Sequence, residues 1–225
     1  MINFAKIWDI LITKFPAFME GVEITLQLAF FTVLFGSLLG LVVAVCRRTR
    51  LLPLRWLMNA YVAFIRGTPL LVQVLLVVYG LPQLGIRLPR MTLCIIALVI
   101  NSGAYMAELI RAGLQSVEKG QVEAAESLGM SSGQTMLYII LPQAVKVTLP
   151  AMGNEFVAII KESSILYAVG VYELTYQAYK LASVNYYYIE TMIVAALIYF
   201  VLTYVATKLL GLLERRMRRA DTSAA

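Results

Sequence analysis

The chain has 225 residues, 60% of them hydrophobic and only 14% charged, whereas a soluble domain carries roughly 25% charged residues. That composition excludes an ordinary water-soluble globule. With no histidine and two isolated cysteines, Cys46 and Cys94, the chain also lacks the residues of a metalloenzyme or a disulfide-stapled secreted domain.

Residues 1–20 place Phe4, Ile7, Trp8, Leu11 and Phe15 near helical spacing. This suits a helix lying in the membrane interface, with an unstructured lead-in as the alternative. A cleaved signal is not expected, because the apolar run that follows is too long for an h-region and has no small-x-small exit. Between Glu23 and Arg47 stand 23 uncharged residues, and between Arg66 and Arg87 another 20. At about 1.5 Å per residue, either run crosses the apolar core of a bilayer as a helix. Met91–Ala107 and Thr191–Thr207 are 17 uncharged residues each, and both extend by a turn into their flanks. Asn101, Ser102 and Gly103 are expected to interrupt the third run near its middle.

Thirteen basic residues fall on one side of these runs: Arg47, Arg48, Arg50, Arg55, Arg66, Arg111, Lys119, Lys146, Lys208, Arg215, Arg216, Arg218 and Arg219. Lys6, Lys14, Arg87, Arg90 and Lys180 fall on the other, and Lys161 lies inside a span. By the positive-inside rule the thirteen face the cytoplasm, which puts the N-terminus outside, the C-terminus inside and makes the number of spans odd. The net charge of +6 is therefore topological and implies no nucleic-acid partner.

Four clear runs make an even number, so residues 150–172 are expected to supply the fifth. That stretch carries Asn154, Glu155, Lys161 and Glu162, and each charge costs about 3 kcal/mol at the centre of a lone membrane helix. Such a helix has to lie against protein or water, as the wall of a pathway does. The expected architecture is one all-α integral membrane domain over residues 1–225. Its five spans lie near 21–46, 64–82, 91–112, 150–172 and 190–213, with an external turn between Pro82 and Pro89 and a tyrosine-rich external segment at 173–189. Five helices are too few to enclose a solute path, so a second copy or a sister subunit is expected.

Residues 116–147 form a polar island between apolar stretches. Glu123 to Leu128 is good helix-forming sequence, and Gly129 suits the position after a helix that needs a positive φ. Ser131 or Ser132 is expected to cap a second helix to about Ile140, which Pro142 ends. Met136, Leu137 and Ile140 then face outward and need a partner; a hairpin folded back on its own bundle is the alternative.

The order Glu123-Ala124-Ala125, three residues, Gly129, nine residues, Ile139-x-Leu141-Pro142 resembles the EAA signature of ABC importer membrane subunits at every defined position. Three further segments, Ile65 to Gln73, Asn101 to Glu108, and Gly153 to Phe156 with Lys161 to Ser164, resemble the polar amino-acid permease branch, in which glutamine, arginine and cystine importers look most similar. The resemblance runs from about residue 16 to 219. It implies a type I ABC importer transmembrane domain, N-out and C-in, with cytoplasmic coupling helices, in a bacterial cytoplasmic (inner) membrane. It also implies a homodimer or a heterodimer with a sister permease, two ATPase subunits, and an extracytoplasmic substrate-binding protein that delivers a polar amino acid. The ATPases would dock through Glu123, Ala124, Ala125, Glu126, Gly129, Met136, Ile139, Leu141 and Pro142. The chain has no glycine-rich phosphate loop, so ATP and Mg²⁺ belong to the partner; no cofactor and no catalytic residue are expected here.

A zwitterionic solute needs a partner for its carboxylate and another for its ammonium group. Glu155 and Glu162, seven apart, share one face of the fourth span, and Asn154 and Lys161 share an adjoining stripe. Ser163, Asn101, Ser102, Gly103 and Thr68 complete the candidate path, with Glu155 the expected partner of an ammonium or cationic side chain. For Lys161 and Glu162 a structural ion pair is the alternative, and for Thr68 a helix start. Glu108 is expected near the cytoplasmic end of its span, either solvated or paired with Arg111 at i,i+3. A different class of function, an ion-coupled secondary carrier or channel, would use Glu155, Lys161 and Glu162 as a relay. It leaves the island unexplained.

Overall fold

The computed structural model describes residues 3–222, with side chains through residue 215, so the side chains of Arg216, Arg218 and Arg219 lie outside the described residues. Among the described residues all regular structure is helical. Helix α1 (Phe4–Thr13) is capped by Asn3, whose side chain accepts from the Lys6 N–H at 3.2 Å. It is helical, as its spacing predicts, and sets Ile7, Ile10 and Leu11 against the bundle while Phe4 and Trp8 stay exposed.

Helix α2 (Phe15–Cys46) has 32 residues, about 48 Å of helix. Leu52–Gly67 is α3. A chain turn follows, then α4 (Leu70–Leu75), a π turn (Leu76–Gly80) and α5 (Leu81–Gln83), which run on as one helical unit, Leu70–Gln83. Helix α6 spans Arg90–Gln115. It packs lengthwise on α2, and the close approach explains Gly36 and Gly40: a Cβ on Gly40 would sit 2.4 Å from the Met106 Cβ, and one on Gly36 would sit 2.9 Å from the Ser102 hydroxyl. Small residues four apart let helix backbones meet where lipid supplies no hydrophobic drive. The expected interruption at Asn101, Ser102 and Gly103 is absent, since α6 is continuous through them. Their small side chains serve packing: Asn101 and Ser102 are buried, and a Cβ on Gly103 would strike Leu39.

The cytoplasmic island differs from the expectation in one respect that matters. Helix α7 (Lys119–Ser127) and the elbow at Gly129 form as predicted, and Ser131 is the residue that caps α8 (Ser132–Gln134). Pro142, however, ends nothing. A π turn (Thr135–Ile140) leads into α9 (Leu141–Glu162) and then a 3₁₀ segment (Ser163–Val169), so that Ser132–Val169 is one helical rod of 38 residues. A proline inside a helix normally clashes with the carbonyl four residues back. Here the wide turn precedes it, with the Leu141 N–H donating to the Met136 carbonyl five residues back, and the ring is accommodated. Pro82 follows the π turn Leu76–Gly80 in the same way. The expected span 150–172 is thus the second half of a rod that starts near 132, and the expected loop 116–147 ends inside it.

Helices α10 (Leu174–Asn185) and α11 (Tyr188–Thr222) complete the chain. Residues 173–189 are not a surface segment throughout: Leu174, Gln177, Ala178 and Ala182 are buried, and α10 packs on α2 and α11. Glu173 starts α10, taking the N–H groups of Thr175 and Tyr176 at 2.8 and 2.7 Å and the Tyr199 hydroxyl at 2.7 Å. Burial raises the pKa of this carboxyl, against the pull of those hydrogen bonds.

Among the described residues four helices are long and apolar enough to cross a membrane: Phe15–Cys46, Arg90–Gln115, Ser132–Val169 and Tyr188–Arg215. A fifth appears if Leu52–Gly67 and Leu70–Gln83, bent by 111° to each other, count as one. The break lies inside the expected span 64–82, at Thr68-Pro69, because proline both lacks an N–H and pushes its predecessor to extended backbone; Thr68 has ψ 148°. Gln73 repairs it. Its Nε2 lies 2.8 Å from the Ile65 carbonyl, 3.1 Å from the Thr68 carbonyl and 2.9 Å from the Thr68 hydroxyl, while its Oε1 accepts from Asn101 Nδ2 at 2.9 Å. Gln73→Leu should therefore strand buried polar groups on both sides of the break and destabilise the fold by about 2 kcal/mol. Thermal unfolding in detergent reads this as a drop in Tm; an unchanged Tm would show that the bend does not depend on the amide.

Candidate functional site

Helix α7 ends on Leu128, and Gly129 follows with φ +82°. The Gly129 N–H donates to the Glu126 carbonyl at 2.9 Å and the Met130 N–H to the Ala125 carbonyl at 3.1 Å, the bond pattern of a left-handed helix stop. Ser131 then exchanges hydrogen bonds with Gln134, its N–H donating to Gln134 Oε1 at 2.8 Å and its hydroxyl accepting from the Gln134 N–H at 3.4 Å. Gln143 Nε2 donates to Gln121 Oε1 at 2.5 Å, which ties α7 back to the rod. The two arms of the elbow pack through buried Ala125 and Thr135. Glu123, Ala124 and Glu126 are exposed on α7, and Leu141 and Pro142 are exposed on the rod. Met136, Ile139 and Ile140 are half-buried, and the apolar groups left uncovered are Leu128 (84% exposed), Leu137 and Tyr138. Tyr138 takes the outward position that periodicity assigned to Ile140, because the π turn changes the register.

Behind the elbow, Glu108 joins three helices. Arg47 at the end of α2 and Arg111 on α6 both donate to it, and the α3 residue Arg66 lies 3.7 Å away. Arg47 Nε also donates to Asn59 Oδ1 at 2.7 Å. The i,i+3 pair with Arg111 was expected; the partners on α2 and α3 were not legible, since they lie 61 and 42 positions upstream.

The candidate solute residues separate into two groups. Asn154, Lys161 and Glu162 are exposed on one side of the rod, and Glu155 is half-buried beside them, accepting from the Ser102 hydroxyl at 3.3 Å. Ser163 is buried and spends its hydroxyl on the Ile160 carbonyl at 2.9 Å. Asn101 and Thr68 belong to the Gln73 network, with the Thr68 hydroxyl donating to the Phe64 carbonyl at 2.9 Å. Ser102 is thus the member of the α6 trio that meets the rod's carboxylate. Gln73 was missed as a site residue, although an amide five residues past Thr68 in an uncharged run is a visible signal.

Residues 36–219 match the family of binding-protein-dependent transport system inner membrane components. The chain belongs to that family. It is 44% identical over 212 residues to the probable glutamine ABC transporter permease protein GlnM of Bacillus subtilis (strain 168), covering 94% of this chain and 98% of that one. It is 37% identical over 211 residues to the arginine transport system permease protein ArtQ of the same organism, covering 93% and 96%. A crystal structure of an amino acid ABC transporter with histidines superposes with a TM-score of 0.90 at 46% identity, covering 96% of this chain and 99% of the other.

The chain is accordingly an amino-acid ABC transporter permease, an integral membrane protein with the type I permease fold. Permeases of this family are transport components that work with ATPase subunits. The elbow of this permease needs the left-handed backbone that Gly129 supplies. A Cβ there meets nothing within 4 Å, so a substitution is limited by φ alone. Gly129→Val should cost about 1–2 kcal/mol locally, and Gly129→Asn, which tolerates the left-handed region, distinctly less. Amide hydrogen exchange at Gly129 and Met130 measures this, and equal protection in both variants would overturn it.

Proposed function

We propose that this permease is the five-span, N-out and C-in membrane subunit of an ATP-driven importer for a polar amino acid. It pairs with a second copy or a sister permease, seats an ATPase subunit on the Gly129 elbow, and receives its solute from an extracytoplasmic binding protein. ATP and Mg²⁺ stay with the ATPase. One observation supports this reading: exposed Leu137 and Tyr138, on the second arm of the elbow, stand on the same continuous helix, Ser132–Val169, as Asn154, Glu155, Lys161 and Glu162. From Leu137 to Glu155 is about 27 Å of helix. A shift imposed on Leu137 and Tyr138 by a partner's groove is carried toward Glu155 along continuous helix, which runs on through Pro150.

The uncovered Asn154, Lys161 and Glu162 support the pairing, because an exposed charged stripe on a membrane helix is stable only against protein or a water-filled path. Glu155 is the carboxylate best placed for an ammonium group: half-buried, held by one serine hydroxyl and open on its outer side. The relatives named for arginine and glutamine support a polar amino acid, and Glu155 favours a cationic one.

In proteoliposomes with the partner subunits, Gly129→Asp should keep the fold, because the site is open and aspartate accepts positive φ, yet place a charge in the docking surface. Uptake is expected to fall by about tenfold, equivalent to 1.4 kcal/mol of lost coupling, with Tm unchanged; normal uptake would rule out docking at the elbow. Glu155→Gln should reduce uptake of a cationic amino acid several-fold more than that of a neutral one. Equal loss for both solutes would assign Glu155 a structural role.

A further inference from the structure

The basic end of the bundle holds a cavity of about 460 Å³ at the junction of α2, α3 and α6. Its polar lining is Arg47, Arg48, Asn59, Arg111 and Gln115, with Leu114 on one wall. Glu108 offsets one of the positive charges there. Arg48 has no recorded side-chain partner among the described residues, so the cavity keeps a net positive charge.

Leu114 also lines a second, almost wholly apolar groove of about 270 Å³, with Leu38, Leu41, Val145, Leu149 and Met152. The two spaces adjoin across that one side chain. Along α2 and just past its end, Leu41, Ala44 and Arg48 fall on one face, a stripe that changes from apolar to basic, with Leu38 and Arg47 flanking it. The helix from Leu38 to Arg47 is about 14 Å long, close to one leaflet of a bilayer core about 30 Å thick. A soluble phosphate has no use for that groove, and an acyl chain alone has no use for the arginines.

We propose that this stripe is a binding site for an anionic glycerophospholipid, its phosphate and headgroup among Arg47, Arg48 and Asn59 and one acyl chain along Leu41 and Leu114. The lipid sits where α2, α3 and α6 are joined and beside the start of the elbow segment. Its occupancy thus bears on how firmly the elbow's base is held.

The test is native mass spectrometry of the full transporter complex in a nonionic detergent, titrated with dioleoyl phosphatidylglycerol, with dioleoyl phosphatidylcholine as the control. Phosphatidylglycerol is expected to bind about tenfold more tightly than phosphatidylcholine. Arg48→Ala should weaken it about fivefold and Arg48→Lys much less, as one surface cation implies. Leu41→Trp, which fills the exposed groove without touching an arginine, should weaken both lipids. Equal binding of the two lipids, or no effect of either substitution, would overturn the proposal. Displacement of phosphatidylglycerol by millimolar inorganic phosphate would also overturn it, in favour of a soluble anion. The readout is lipid mass on this subunit, so it stands apart from whether ATP hydrolysis drives uptake.

Discussion

The hydrogen bonds that Gln73 makes across Thr68-Pro69 hold together the 111° bend between Leu52–Gly67 and Leu70–Gln83. A backbone carbonyl freed inside hydrocarbon has no water to turn to, and leaving it bare costs several kcal/mol. One amide side chain reaches the Ile65 and Thr68 carbonyls and then hands its own oxygen to Asn101 on α6. The 111° bend is therefore anchored to α6. The same rule governs the other irregular points: Glu173 takes the free N–H groups at the start of α10, and the π turns before Pro82 and Pro142 keep the chain bonded while a ring is admitted.

With the backbone satisfied, packing sets the frame. Gly36 and Gly40 bring α2 onto α6, and Glu108 fixes the basic ends of α2, α3 and α6 together. The rod Ser132–Val169 lies across this frame with little of its surface covered. It exposes Leu137 and Tyr138 toward one end and Asn154, Lys161 and Glu162 toward the other. That division, a firmly packed pair and a lightly covered rod, suits a subunit in which one part holds position and another transmits motion.

How much was legible depended on the range of the interaction. Gly129, the cap at Ser131 and the exposed charges of Glu123 and Glu126 follow from local chemistry, and they stand in the structure as their spacing implies. The continuity through Pro142 was hidden, because a proline after an apolar run reads as a stop unless a π turn precedes it, and no composition signals that turn. Asn101 and Gly103 looked like a helix break for a related reason: the residues that disrupt a lone helix are also those that let two helices touch.

The amino-acid sequence by itself determined that the chain lives in a membrane, where its apolar runs and basic clusters lie, and that the chain turns an elbow at Gly129. These follow from hydropathy, charge and short-range caps, all of which act within a turn or two of helix. The tertiary structure alone decided that the elbow and Glu155 share one rod, that Gln73 closes the Thr68-Pro69 break, and that Arg47, Arg66 and Arg111 converge on Glu108. Those depend on groups brought together from distant positions, and only the packed helices set their distances.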